Sequence, residues 1–335
     1  MAMERVPYLV GGGFEHSAEV MRAMLAAATS GAEGIVNAGD MKVAATAVPG
    51  TSVRIAPGNA LIRNTYGGGT AQTYACRAAS QTELAITATG SSGSRTDLVV
   101  ARINDPTYAG GEFDPTTFQA ADFTVIQGVP AGTSSVAGLN LGYPAIPLAR
   151  ITIPASTGTI TNSMITNLRK IAIPRKERHL YVYPLVQGDG IHRIVNKRDI
   201  GDWWPNPDTV TGWRIDVPEW AQRVRIIGQA GGVLIRRGSA NAWGRVWARI
   251  GSIYDERGVN TQETSWDLDS GSAGNVRESW ITGADRAVPA NIRGEQGMYV
   301  GLRGRVISSD NDNSLPVLDS LSVVSVDVEF YETAV

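Results

Sequence analysis

The sequence predicts a mainly β protein of two domains. The first is an α+β N-terminal domain with one helix and short strands, and the second a C-terminal antiparallel β-sandwich of jelly-roll-like form. Three observations carry this reading. The chain has 335 residues, enough for two cores at about 150 residues per domain. Glycine supplies 38 of them, above the roughly 7% of average usage and without a collagen period, which points to frequent turns. Apolar residues recur mainly at two-residue spacing, most cleanly at Val324, Val326, Val328 and Phe330 against Asp327 and Glu329.

The elements follow in order. From Phe14 to Ala28, Val20, Met21, Met24, Leu25 and Ala28 recur at three- and four-residue steps, so a helix is expected there, with Ser17 as N-cap and Gly31 as terminator. After Gly39 the period becomes two. Strands are expected at Met41–Ala47, around Val53 and Ile55, and at Ala60–Arg63, with Pro57-Gly58-Asn59 as a turn. Further strands are expected at Glu83–Ala88, Thr96–Asn104, Phe123–Gln127 and Ile146–Ile153, and a short helix at Asn162–Arg169. Beyond residue 200, strands are read at Trp213–Val217, Val224–Ile226, Val246–Ile250, Val300–Arg305 and Val324–Phe330, with turns at Gly228–Gly232, Gly271–Gly274 and Asp310–Ser314.

Charge divides the chain. Residues 1–149 carry net −3, residues 150–200 net +6 and residues 201–335 net −5. All four lysines precede residue 200, and all eight tryptophans lie between Trp203 and Trp280. The expected domains are 1–173 and 201–335. The Pro174-Arg175-Lys176-Glu177-Arg178-His179 block lies in a basic linker at 174–200, read as solvated or as an inter-subunit contact rather than as a patch for an anionic partner.

Composition excludes several functions. A net charge of −2 gives no pull toward nucleic acid or an anionic membrane, and no apolar run approaches the roughly 18 residues that span a bilayer. Neither a nucleic-acid partner nor membrane insertion is expected. Cys76 is the single cysteine, so no intrachain disulfide and no cysteine cage for a metal can form. The opening residues lack a secretory pattern, so synthesis in a cytoplasm is expected. Of the three histidines, His16, His179 and His192, none lies beyond residue 200, and no GxxxxGK, HExxH or GxSxG occurs. The chain is expected to be no enzyme and to need no cofactor. Asp267, Asp269 and Glu278 have calcium-loop spacing, but Ser272 stands where such a loop needs glycine; these acids, with Asp310 and Asp312, read as turn residues rather than metal ligands.

The sharpest local feature runs from Trp243 to Arg249. With Val246, Ala248 and Ile250 facing a core, Trp243, Arg245, Trp247 and Arg249 share the opposite face of the strand and are expected to be exposed. Arg236 and Arg237 extend the candidate surface. Tryptophan offers a platform for sugar rings and arginine a fork for phosphate or carboxylate. The competing expectation is a subunit interface, where the same residue types are enriched.

Several segments carry a family likeness. These are Gly31-Ala32-Glu33-Gly34-Ile35-Val36, Gly39-Asp40-Met41-Lys42-Val43, Val53–Ala60, Ala88–Gly93, Arg95–Arg102 with Asp105-Pro106, Val129–Gly132, Ala149–Ile151, Ile153–Thr161 and Asn167–Arg169. Over about residues 14–176 the chain resembles tailed-bacteriophage minor tail proteins of the upper-baseplate type from phages of actinobacteria. The resemblance implies a homotrimeric virion protein at the tail tip, with an N-terminal domain that docks to other baseplate proteins and a C-terminal domain that attaches to a host cell-wall glycan. Two alternatives stand beside it: a purely architectural baseplate subunit, and a glycan depolymerase using carboxylates such as Asp267, Asp269 or Glu278.

Overall fold

The structure, a computed structural model, describes residues 16–69, 71–110, 113–114, 116–187, 191–205, 212–237, 241–252, 256–268, 274–310 and 315–335. The chain divides into two compact units, Met1–Pro174 with Thr333–Val335, and Arg175–Glu332.

Unit 1 contains α1 (Ala18–Ala28), β1 (Gly34–Ile35), β2 (Val43–Ala45), β3 (Ser52–Ile55), β4 (Gly58–Arg63), β5 (Thr73–Ala78), β6 (Thr82–Ala85), β7 (Arg95–Ile103), α2 (Pro106–Ala109), β8 (Ala121–Ile126), β9 (Ala145–Ile153) and β10 (Ile165–Asn167). Ser17 caps α1 by accepting from the Val20 N–H, and Gly31, at φ +65°, returns its N–H to Ala26 O. The two charged side chains of α1 point toward the body of the unit. Arg22 donates to Gln72 at 2.7 Å and pairs with Asp105 at 3.3 Å, while Glu19 accepts from the Tyr108 hydroxyl at 2.7 Å.

Three antiparallel sheets follow, in the orders β1-β4-β5, β2-β3-β6 and β10-β9-β7-β8. Ile35, Val53, Ile55, Ile62, Leu148 and Ile151 form their shared core. Two expectations are corrected here. The Pro57-Gly58-Asn59 segment does not close a hairpin, because β3 and β4 belong to different sheets. Gly58 instead lies against Asp40, where a Cβ would fall 2.5 Å from the Asp40 Cβ. The helix expected at Asn162–Arg169 is a single 3-10 turn, Asn162–Met164, followed by β10 in register with β9. Ladder bonds to Thr152-side neighbours Ile151, Arg150 and Ala149 outweigh a weak local helical pattern containing the β-branched Ile165 and Thr166.

Thr333–Val335 completes unit 1 from the far end of the sequence. The Val335 N–H donates to Ala38 O, the Arg169 guanidinium bonds Val335 O, and Ala334 packs on the core.

Unit 2 is a β-sandwich built from β11 (Lys176–Pro184), β12 (His192–Arg193), β13 (Asp202–Trp203), β14 (Arg214–Ile215), β15 (Arg223–Arg237), β16 (Ala242–Gly251), β17 (Gly258–Asn260), β18 (Thr264–Leu268), β19 (Gly274–Ala287), β20 (Met298–Ser309), β21 (Val317–Leu318) and β22 (Val323–Tyr331). In the first sheet β22 lies between β11 and β15, and β15 also pairs with β19 and β21. In the second sheet β16 and β20 are central, flanked by β13, β14, β17 and β18. Every pairing is antiparallel. The inner faces meet in one core that includes Val224, Ile226, Val246, Ile250, Leu302, Val328 and Phe330.

The basic linker expected at 174–200 is instead part of the sandwich. Lys176–Pro184 is a full strand in register with Tyr331–Val323, and its alternating exposure is that of a sheet strand. Two of the cations that suggested a linker are partnered: Arg175 grips Glu332 at 2.7 Å and Arg178 grips Asp327 at 2.7 Å. The second unit therefore starts at Arg175, not at residue 201. The turn expected at Gly228–Gly232 is likewise absent. Those glycines lie inside β15, whose register shifts between Ala230 and Val233, and Gly232 takes φ +69° at the irregularity. Gly228 permits the sheets to approach, since a Cβ there would fall 2.6 Å from Leu302 and 2.7 Å from Ala248. The expected turns at Gly271–Gly274 and Asp310–Ser314 lie largely outside the described residues, as does the segment before His16.

Two outcomes test these assignments. Deleting Thr333–Val335 removes one hydrogen-bond partner each from Arg169 and Ala38 and the Ala334 packing, and is expected to lower stability by on the order of 2 kcal/mol, read from the urea midpoint relative to the full chain. The second concerns acid. Hydrogen bonds from Arg175 and Arg178 hold the carboxyls of Glu332 and Asp327 below their ordinary range. Because the folded values are depressed, this stabilisation is complete above the unfolded values of about 4 and is lost as pH falls through the folded ones. A Glu332→Gln/Asp327→Asn variant is expected to show a shallower loss of stability between about pH 5 and 2 in denaturant titrations than the parent chain.

Candidate functional site

The candidate residues are organised by β16. Its period of two is as the sequence indicates: Ala242, Val246, Ala248 and Ile250 are buried in the core, and Trp243, Arg245, Trp247 and Arg249 share the outer face of the second sheet. Exposure along that outer row is not uniform. Trp243 is 42% exposed, whereas Trp247 is 3% and Arg249 6% exposed. The expectation that all four face solvent is therefore corrected for the last two.

For Trp247 the cover comes from sequence-distant backbone. Gly201, at φ +58°, lies on the Trp247 ring; a Cβ at that position would sit 2.6 Å from the ring's Cη2 atom. Arg303, the cross-strand neighbour of Trp247, donates to Gly201 O at 2.9 Å and anchors the covering segment. Burial depresses the Arg303 pKa below the ordinary arginine value. Arg249 binds inward to its own return loop, donating to Asn260 Oδ1 at 2.8 Å, Glu256 O at 2.8 Å and Arg257 O at 3.0 Å. It is a structural clamp on the turn into β17.

What remains accessible centres on Trp243. Arg245 stacks on its ring at 5.9 Å from the centroid. Asp267 on β18 and Ser308 on β20 stand directly opposite Trp243 in the ladders. Arg245 also bonds Ser265, and Glu263 bridges the two neighbouring cations, lying 3.8 Å from Arg245 and 3.2 Å from Arg305. Asp199 is a second partner of Arg305. The surface thus offers a flat aromatic platform with a mixed, internally neutralised polar rim, suited to stacking a sugar ring and hydrogen-bonding its hydroxyls.

The same outer face holds further aromatic–arginine stacks that sequence reasoning did not select. Arg303 lies 5.3 Å from the Trp203 ring centroid, Trp203 is 5.9 Å from Tyr299, and Arg214 packs over Tyr299. The available signal was the alternation of Arg303 and Arg305 with buried neighbours, but only the ladder between β13 and β20 brings Trp203 opposite Arg303.

Arg236 is not part of this face. It lies on β15 in the first sheet, opposite Asn275, on the side of the strand away from buried Val233 and Ile235. The Arg237 side chain lies outside the described residues. Asp267 and Glu278 are also separated: Asp267 is exposed beside Trp243, while Glu278 accepts from the Trp280 indole at 3.1 Å on the core-facing side of β19. Asp269, Ser272 and Asp312 lie outside the described residues. Among the described residues no group of three His, Cys, Asp or Glu side chains is placed to hold a metal ion.

Burial makes a direct test. Trp247→Ala is expected to destabilise the chain by about 3–5 kcal/mol, and Trp243→Ala by about 0.5 kcal/mol or less, in denaturant unfolding. Equal effects would contradict the covered position of Trp247.

No protein-family model and no curated protein matches the chain. Among solved structures it is similar to one of the infectious bursal disease virus Gt strain, with 11% identity and a TM-score of 0.22 over 91% of this chain and 76% of that one. It is also similar to the crystal structure of the infectious bursal disease virus VP2 subviral particle, with 11% identity and a TM-score of 0.21 over 90% and 70% of the two chains. Scores of this size carry no argument about kinship or activity; the sandwich stands on the chain's own strand ladders.

Proposed function

We propose that this chain is a non-enzymatic structural component of a virion, at the tail tip or baseplate of a bacteriophage, whose second unit attaches to a host cell-wall glycan. The observation that carries the attachment role is Trp243, an exposed indole held by the Arg245 stack and ringed by Asp267 and Ser308 on a rigid sheet. Side chains on paired strands keep their geometry without a ligand, which reduces the ordering cost of binding. The resemblance of residues 14–176 to upper-baseplate proteins supports placement in the tail, with unit 1 docking to other tail proteins. A homotrimer would multiply a weak single contact through avidity.

A purely architectural role is the second reading, favoured by one observation. Leu180, Val182 and Ile281 are exposed on the first sheet, where neighbouring charges are already paired within the chain as Arg178–Asp327 and Arg225–Glu329. A neutral, partly apolar sheet face suits contact with another subunit.

The two readings separate in one experiment. With fluorescently labelled full chain and intact actinobacterial cells, Trp243→Ala is expected to weaken binding by about tenfold or more while leaving the size-exclusion profile unchanged. Undiminished binding by that variant would remove Trp243 as the attachment point, and absence of binding by the parent chain would favour the architectural role.

A further inference from the structure

Unit 1 contains a cleft of about 390 Å³ between the β2–β3 pair and the β9–β10 pair. Ala44 and Ile165 supply accessible apolar surface to it, and its polar lining consists of Lys42, Arg54, Asn162, Asn167 and Arg169. Among the described residues no acidic side chain lines it. The two asparagines are oriented by bonds that use their oxygens. Asn162 Oδ1 accepts from the Ala45 N–H at 2.8 Å, and Asn167 Oδ1 accepts from the Arg169 N–H at 3.1 Å and Nε–H at 2.9 Å. The Asn167 oxygen is thereby saturated, and each amide keeps its NH2 group to offer.

The cations sort into two kinds. Arg169 is buried and structural, its guanidinium directed to Asp40 O, Ala38 O and Val335 O. Lys42 and Arg54 are exposed at the rim, and among the described residues neither forms an ion pair. Arg54 stands opposite Glu83 in the β3–β6 ladder without pairing to it. Asp40, the acid nearest Arg169 in effect, is occupied in accepting from the Asn37 and Asn59 N–H groups at 3.0 and 3.1 Å. Among the described residues every polar side chain in the lining is thus a hydrogen-bond donor, two of them are cations that form no ion pair, and Ala44 and Ile165 add apolar surface.

We infer that this cleft is a binding site for a small organic anion of the acidic-sugar or sugar-phosphate class. A carboxylate or phosphate supplies the acceptors and negative charge that the walls lack, and a sugar ring supplies a flank for Ala44 and Ile165. The inference does not depend on Trp243 or on the proposed attachment role.

Isothermal titration calorimetry of the full chain with glucuronate, glucose 6-phosphate and glucose tests it. At least one of the two anions is expected to bind with a Kd of about 1 mM or tighter, and glucose not to bind; the two anions distinguish carboxylate from phosphate. Lys42→Ala/Arg54→Ala is expected to weaken the anion by about tenfold or more, the loss of charge-assisted bonds. Both side chains are exposed, and circular dichroism checks that the fold is kept. Asn167→Asp retains the acceptor for Arg169 while replacing a donor by a negative charge, and is expected to abolish binding. Trp243→Ala is expected to leave it unchanged. Absence of binding by both anions, or equal binding by the Lys42/Arg54 and Asn167 variants, overturns the inference.

Discussion

Unit 2 depends on its last strand lying in the middle of its first sheet. β22 pairs on one side with β11, the first strand of the unit, and on the other with β15. Its inward residues Val324, Val326, Val328 and Phe330 are fully buried. At about 1.5–3 kcal/mol for each buried side chain, this strand contributes on the order of 10 kcal/mol before the cost of ordering it. The consequence is topological. The β11–β22 ladder forms only when residues about 150 apart in sequence meet, and the edge cations Arg175 and Arg178 find their carboxylates only when they do. The chain then leaves the sandwich at Glu332 and returns to unit 1, so unit 1 contains residues from both sides of unit 2 in the sequence.

A second constraint is the close approach of the two sheets at glycine. Gly228 on β15 faces Leu302 and Ala248 of the second sheet. A side chain at this point would force the layers apart. The glycine cluster that looks like a turn in one dimension is a packing device in three. The bulge beside it keeps β15 continuous for fifteen residues, so that a single strand serves β22, β19 and β21.

The candidate site shows how far a strand pattern reaches. The alternation along β16 places Trp243, Arg245, Trp247 and Arg249 on one face, and this much was legible from the buried character of Val246, Ala248 and Ile250. Which members of the row meet solvent was not legible, because the cover is Gly201 for Trp247 and residues 256–260 for Arg249. Nothing in the local sequence of β16 encodes either contact. The exposed part of the site is accordingly smaller and less cationic than the sequence suggests, and Trp203, Arg303 and Tyr299 join its outer face through strand pairing alone.

By itself the sequence determined the mainly β class, the N-terminal helix with its Ser17 cap and Gly31 stop, most strand positions and the two faces of each amphipathic strand. These follow from backbone periodicity and from residues whose effects act within a few positions. The tertiary structure alone decided that Lys176–Pro184 is a strand and not a linker, that Ile165–Asn167 pairs instead of coiling, and that Trp247 and Arg249 are covered. Each of these outcomes rests on partners outside the element itself, from 7 residues away for Arg249 to about 150 for Lys176–Pro184, and a hydrogen-bond ladder or a close contact overrides the weaker preferences of the residues next to one another in the chain.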